Sequence, residues 1–365
     1  MSVPFIDFTQ QNSAIKSEVD EGWQAVIAKS AFIMGPQVKV FEEEFARYCG
    51  VKYALGVNSG TDALYLALSA LDVGPGDEVI LPTHTFIATA LCVSYTGATV
   101  KLVDIESETY NIDPKGLAKA ISSKTKAIIP VHLYGQMAHM DEIMTVADKH
   151  GIAVVEDACQ AHGARYKGVR SGAFGKAGCF SFYPTKGLGG WGDGGAVITN
   201  DDKVKQGVEI LRDYGRTDRY SHKVKGFNSR LDTMQAVVLS AKLKHLDKWN
   251  AMRQIAAEVY ARELQGIGVA IPKLATNRDH VYQTYAIRVK NREHVMDGLK
   301  AKGIPSLIHY PIPIHLQEAY ADAGHKAGDF PVAEQVAAEI LSLPLFPHMT
   351  EEQVCEVVSA LKAVL

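Results

Sequence analysis

Cysteine is scarce and scattered in this 365-residue chain: Cys49, Cys92, Cys159, Cys179 and Cys355 are widely spaced and form no C-x-x-C pair. That pattern argues against a disulfide framework and a zinc site, so no metal is expected and a reducing compartment suits the chain. No long unbroken apolar run occurs, which excludes a membrane-spanning helix by the usual criterion. The opening residues, MSVPFIDFTQQ, lack a charged leader followed by an apolar stretch, so a cytoplasmic location is expected. Basic blocks are missing as well, and the net charge is −3. Neither nucleic acid nor an anionic membrane is therefore an expected partner, and small molecules are. Internal repeats and low-complexity segments are absent too. What remains is 47% hydrophobic and 22% charged, an ordinary globular composition.

Seven short apolar runs recur in the first two thirds: Tyr53 to Asn58, Glu78 to Pro82, Thr99 to Asp104, Ala127 to Tyr134, Ala153 to Asp157, Cys179 to Tyr183 and Gly195 to Thr199. Turn residues follow each, and usually a helical pattern, as over Thr61 to Leu71, Pro114 to Ile121 and Met140 to His150. KAIIPVHLY and IAVVEDA are apolar at nearly every position, as strands covered on both faces are. The alternation predicts a large α/β domain over 1–245, with a seven-stranded, mostly parallel sheet between helices. Residues 246–365 read as a smaller C-terminal α+β domain. One long helical stretch, Leu231 to Gln265, leads into it. Strands are expected at Tyr282 to Lys290 and Ser306 to Pro311, with helices at Arg292 to Ala301, Val332 to Leu341 and Glu351 to Leu365.

The stretch Phe180 to Thr199, FSFYPTKGLGGWGDGGAVIT, sets Lys186 between aromatic residues and six glycines. A hydrated lysine has no free lone pair, and it becomes a nucleophile only when burial or neighbours lower its pKa. The glycines are expected to let the backbone pass close to a bound group and to adopt positive φ. The alternative is a surface lysine on a turn. Gly187 to Gly192 also satisfies G-x-G-x-x-G, with Glu209 at the distance of a ribose contact. The glycines lead into the strand AVIT and not into a helix, which sets a nicotinamide-dependent dehydrogenase aside.

Two further constellations carry chemistry. Asn58-Ser59-Gly60-Thr61-Asp62-Ala63 leaves a strand and opens a helix, where unpaired amides and the helix dipole suit a phosphate; an ordinary helix cap reads the same way. Asp157, in EDACQAHG, ends an apolar strand, where a protonated heterocycle nitrogen would pair with it and a role in capping the next helix is the alternative. A nucleophilic lysine, a strand-end aspartate and a phosphate-ready helix start form the set that a pyridoxal-phosphate enzyme requires.

Motifs along nearly the whole chain carry a resemblance: FIMGP, SGTDAL, GPGDEVILPTHTFIATA, KAIIPVHLYGQ, EDACQAHGA, FSFYPTK, GDGGAVIT, GFNSRLDTMQA and HYPIPIHLQ. In these the chain resembles the DegT/DnrJ/EryC1/StrS sugar aminotransferases, pyridoxal-phosphate-dependent transferases of fold type I. The resemblance implies Lys186 as the Schiff-base lysine, Asp157 on the pyridine nitrogen and Gln160 on the phenolic oxygen of pyridoxal 5'-phosphate. It further implies Gly60, Thr61 and Ser181 on the phosphate, Phe86 stacked on the ring, and Asn228 reaching the phosphate from a second subunit, hence a homodimer with shared active sites. Sugar dehydratases of the same family have histidine where Lys186 stands, so amino transfer is favoured. L-Glutamate is the implied donor, with pyridoxamine phosphate as the intermediate form. The implied acceptor is a nucleotide-linked keto sugar, a dTDP-3-keto-6-deoxyhexose before a UDP-linked 3-keto-glucuronate or a 4-keto sugar. Tyr183, His309, Tyr310 and His315 are candidates to line the sugar pocket, with packing beside prolines as the alternative for the last three. Arg230 is offered either to a sugar carboxylate or to a structural ion pair. A regulatory pyridoxal-phosphate-binding protein is the reading outside catalysis, and the complete set of Lys186, Asp157 and Gln160 argues against it.

Overall fold

The structure, a computed structural model, describes residues 3–365. Strands β1 (Tyr53–Val57), β2 (Glu78–Pro82), β3 (Thr99–Val103), β4 (Thr125–Ile128) and β5 (Ala153–Asp157) are followed by a two-residue ribbon, β6 (Arg165–Tyr166) and β7 (Val169–Arg170), and then by β8 (Ala177–Ser181) and β9 (Gly195–Thr199). Apart from the ribbon these form one seven-stranded sheet in the order β1-β9-β8-β5-β4-β2-β3. Only β9 is reversed, pairing antiparallel with both β1 and β8. The remaining neighbours pair in parallel.

Among the described residues nine α-helices accompany this part of the chain: α1 (Thr9–Ala28), α2 (Pro36–Cys49), α3 (Gly60–Ala70), α4 (Ala88–Thr96), α5 (Pro114–Ala120), α6 (Met140–His150), α7 (Asp202–Leu211), α8 (Thr233–Leu243) and α9 (Leu246–Glu263). The period-two alternation of each strand sends its side chains to two different layers. Leu55, Val79, Leu81, Val155 and Val197 join the cluster built on α3, α4 and α7. Ala54, Ala196 and Ile198 face Phe41 and Phe45 of α2 and Leu239 of α8, while Ile80, Ile128 and Val154 face Ile143 and Ala147 of α6. Burial on both faces is why the buried positions of these strands are apolar on either side of the sheet.

The stretch expected as one helix from Leu231 to Gln265 is two, α8 and α9, parted at Lys244 and His245. The break lets Leu246 stay with the sheet-side cluster while Ala256, Ala257 and Tyr260 enter a second core. That second core also takes Val295 and Leu299 of α10 (Arg292–Ala301) and Val354, Val357 and Leu361 of α12 (Glu351–Lys362). The strand expected at Tyr282 to Lys290 shortens to β10 (Tyr285–Arg288), and Ser306 to Pro311 contributes only a single bridge, Leu307 to Ser342. Its place beside β10 is taken by β11 (Ile340–Leu343), directly after α11 (Pro331–Glu339), where sequence had continued the helix. Ile340, Leu341 and Leu343 are all buried there, a demand that an extended strand meets and one helix face does not. Ile314, Tyr320 and Phe330 pack back into the large core, so the two parts share a broad apolar contact. Among the described residues no helix is long and apolar enough to cross a membrane.

Candidate active site

The C-terminal ends of β1, β2, β5 and β8 converge on a cavity of about 370 Å³. In an open α/β sheet that edge is where ligands bind. From β1 come Ser59, Gly60 and Thr61 at the start of α3; from β2 come Thr85, Phe86 and Thr89; from β5 come Asp157, Cys159 and Gln160. Beyond β8 lie Ser181, Tyr183, Thr185 and Lys186, and the C-terminal part adds Gln283, Thr284, His309 and Tyr310.

Lys186 is half-buried, and among the described residues no acid lies within ion-pair distance of it. Removal from water pushes its pKa below the ordinary lysine value, and Cys159 and Asp157 pull it back up. Asp157 is 6% exposed. Its Oδ2 accepts from Thr89 Oγ1 at 2.8 Å and its Oδ1 from the Cys159 amide at 3.2 Å. It caps no helix, because the chain beyond β5 turns into the β6-β7 ribbon. Nor does it meet a lysine or arginine within 4 Å among the described residues. The cavity therefore holds a buried carboxylate and a lysine that do not neutralise each other in direct contact.

Ser59 caps α3, its hydroxyl accepting from the Asp62 amide at 3.0 Å. The amides of Gly60 and Thr61 are left without a protein partner at the cavity wall. A Cβ on Gly60 would stand 2.6 Å from Ser181 Cβ and 2.9 Å from Cys159 Sγ, so only glycine brings the helix start this close to β8. The glycines after Lys186 serve a different end from the one expected. None from Gly187 to Gly195 has positive φ. They admit close approach within the protein, since a Cβ at Gly189 would meet the Pro184 carbonyl at 2.3 Å and one at Gly192 the Gln235 amide at 2.7 Å. The Gln235 side chain also accepts from the Trp191 amide at 2.8 Å. Buried Lys242, its pKa lowered by burial to about 8, donates to the Gly189 carbonyl at 2.7 Å. Two side chains of α8 thus brace the loop that carries Lys186.

Gly60, Thr61, Phe86, Asp157, Gln160, Ser181, Tyr183, Lys186, His309 and Tyr310 are brought to one cavity. Phe86 and Tyr183, each 52% exposed, stand open to it, and Phe86 packs against Tyr310 at 5.5 Å between ring centroids. His309, bonded through Nδ1 to Ser342 Oγ at 2.8 Å, has its pKa lowered to about 4 by burial and by Lys186. Three expected residues lie outside the lining. His315 is engaged elsewhere: Nδ1 meets Thr83 Oγ1 at 2.8 Å and Nε2 meets Glu334 at 3.0 Å, so it latches α11 to the sheet. Arg230 pairs with Asp213 at 3.1 Å, the structural alternative foreseen for it. Asn228 is exposed, bridged to Asp213, and not among the residues that line the cavity. Thr85, Thr89 and Gln283 were not anticipated. The i, i+4 spacing of the two threonines at the approach to α4 was the available signal for the first pair. Gln283, which holds the Thr185 carbonyl at 2.7 Å, carried no local signal.

The fold is that of the pyridoxal-phosphate-dependent transferases of fold type I. The chain belongs to the DegT/DnrJ/EryC1/StrS aminotransferase family, whose family model matches residues 13–362. It is 46% identical over 361 residues to the dTDP-3-amino-3,4,6-trideoxy-alpha-D-glucose transaminase of Streptomyces venezuelae, covering 99% of this chain and 95% of that one. It is 44% identical over 359 residues to the UDP-2-acetamido-2-deoxy-3-oxo-D-glucuronate aminotransferase of Pseudomonas aeruginosa, covering 98% and 99%. The crystal structure of S. venezuelae DesV in complex with a ketimine intermediate superposes with a TM-score of 0.97 at 45% identity, covering 99% of this chain and 98% of that one.

Proposed function

We propose that the chain moves the amino group of L-glutamate to a nucleotide-linked keto sugar, with pyridoxal phosphate held in the cavity and a dTDP-3-keto-6-deoxyhexose as preferred acceptor. One observation carries this reading: a buried carboxylate with no cation and a lysine with no acid open on the same space, beside a helix start whose first amides are unpaired. These are the complements of a cationic ring nitrogen, an aldehyde and a phosphate. Gly60, Thr61 and Ser181 would hold the phosphate, Asp157 the ring nitrogen, Phe86 one ring face and Gln160 the phenolic oxygen. When bound, the cofactor supplies an aldehyde that carries amino groups covalently and a protonated ring that takes up the electron pair released at the donor's α-carbon.

The protein's own share is positioning and proton handling. Lys186 would anchor the cofactor at rest; once displaced, its Nζ would take the proton from the glutamate α-carbon and pass it to the cofactor, and in the second half would carry one from the cofactor to the sugar carbon that gains nitrogen. A pKa below the ordinary lysine value raises the share of that amine able to act as base. Asp157 keeps the ring nitrogen protonated, and Thr89 and the Cys159 amide keep Asp157 aimed. Tyr183, His309 and Tyr310 would face the sugar, the last two from residues 246–365, the smaller domain of this reading. Arg230, the cation offered to a uronate, is already held by Asp213, which favours an uncharged sugar. With each keto sugar generated in situ, mass spectrometry is expected to show amination of the dTDP-3-keto-6-deoxyhexose at least about tenfold faster than of the 4-keto or uronate substrates. Transfer to the uronate alone would overturn that choice.

The exposed Asn228 would complete the phosphate site of a partner subunit, making the working unit a homodimer. Lys186→Ala and Asn228→Asp subunits, each inactive alone, are then expected to complement on mixing. Each mixed dimer holds one doubly damaged and one intact site, so about a quarter of all sites recover in a random equimolar mixture. No recovery after confirmed subunit exchange refutes the shared site.

A further inference from the structure

Tyr134 lies outside the cavity, yet it holds three of the residues that line it. It is 3% exposed and sits at φ 57°, in the left-handed region that a bulky side chain avoids. Such outliers persist only where the surroundings over-determine them, and they cluster at functional sites. Here the surroundings are the site itself. The Tyr134 amide donates to Gln160 Oε1 at 2.8 Å, which turns Gln160 Nε2 toward the Tyr310 hydroxyl at 3.1 Å. The Tyr134 carbonyl accepts from the Thr284 amide at 3.5 Å. Its hydroxyl donates to the carbonyl of His309.

A carbonyl can only accept, so the hydroxyl proton is committed to His309. The contact between that hydroxyl and His84 Nε2, at 3.1 Å, must therefore run from the ring N–H to the tyrosine oxygen. This fixes the His84 tautomer and leaves Nδ1 a bare lone pair, and that atom is indeed buried without a partner. Burial lowers the His84 pKa to about 4, so the ring is neutral at neutral pH, as the arrangement requires.

We propose that Tyr134 is a positioning residue for the sugar half of the reaction: its hydroxyl, oriented by His84, pins the His309–Tyr310 segment while its amide sets Gln160. The wall that faces the acceptor and the amide that faces the cofactor are thereby held in one register by a single residue of the large domain. The choice of half-reaction rests on the sugar-aminotransferase reading; the pinning of the segment does not.

Tyr134→Phe keeps the ring packed edge-on against Tyr110, 5.8 Å between centroids, and keeps the amide contact to Gln160. It removes only the hydroxyl. In the holoenzyme, backbone hydrogen exchange over 307–312 is expected to rise by about tenfold with the rest of the chain unchanged, as for a local opening. The glutamate half-reaction in single turnover should stay within about twofold of the parent, while KM for the keto sugar rises about five- to twentyfold. His84→Phe, which leaves Tyr134 intact but unoriented, should move exchange in the same direction by less, and it serves if the first variant does not fold. Unchanged exchange over 307–312, or equal slowing of both half-reactions, would overturn the assignment. A parent enzyme that aminates no keto sugar would sink the functional reading instead, and the exchange data alone would then decide the role of Tyr134.

Discussion

Lys186→Ala is expected to lose turnover by about 10⁴-fold while keeping its fold and its cofactor. The fold should survive because, among the described residues, the Lys186 side chain makes no hydrogen bond and no ion pair, so its removal strands no partner there. Cofactor binding should persist because Gly60, Thr61, Ser181, Phe86 and Asp157 are untouched by the substitution. Absorbance after dialysis reads the retained cofactor, now bound without a covalent link, and an assay with glutamate and keto sugar reads the lost rate. A small amine added to the variant should restore part of the rate, since the missing group is a proton carrier. The pH dependence of the parent follows from the same burial. A base works deprotonated, so its rate rises with pH through the lysine pKa, and desolvation places that rise below the range of an ordinary lysine. Full activity in the alanine variant would end the aminotransferase reading.

What the sequence made legible was what is local in it. Most of the seven sheet strands are apolar runs in their own right, although β4 starts earlier than the run Ala127 to Tyr134 and shares only Ala127 and Ile128 with it. Gly60, Phe86, Asp157, Gln160, Ser181 and Lys186 each lie within a few residues of a strand's C-terminal end. Long-range pairings were not legible. Glu156 and Asp157 read alike as strand-end acids, but successive strand residues face opposite sides of the sheet. Glu156 turns away from the cavity, where it accepts from the amides of Gly172, Phe174 and Gly175 and meets His132 at 2.9 Å. His309 and His315 share one short motif, and partners far along the chain decide their different fates: Ser342 and Tyr134 hold the first at the cavity, while Thr83 and Glu334 withdraw the second. The glycines after Lys186 likewise announced a tight loop without revealing that it is packed against Gln235 and braced by Lys242, two residues of a helix some forty residues on.

Asp157→Asn should separate charge from shape. In the parent, Asp157 accepts from Thr89 Oγ1, and Thr89 Oγ1 lies 3.0 Å from Thr85 Oγ1. An asparagine can keep its oxygen on the Cys159 amide and donate from Nδ2 to Thr89, which then donates onward to Thr85, so both hydrogen bonds of the parent carboxylate are kept. A buried carboxylate without a contacting cation has meanwhile been removed, so the cofactor-free protein should be as stable as the parent or more so. Activity should move the other way. At an effective dielectric near 20, opposite charges about 4 Å apart attract by about 4 kcal/mol, on the order of a thousandfold in rate if lost where the ring must stay protonated. A second readout needs no turnover. Asp157 supports the charged form of Lys186, so its neutralisation should lower the lysine pKa further, measurable in the cofactor-free protein as a shift to lower pH in the titration of Lys186 reactivity. A lysine pKa that rises in this variant, or a turnover number that does not change, would place the working carboxylate elsewhere.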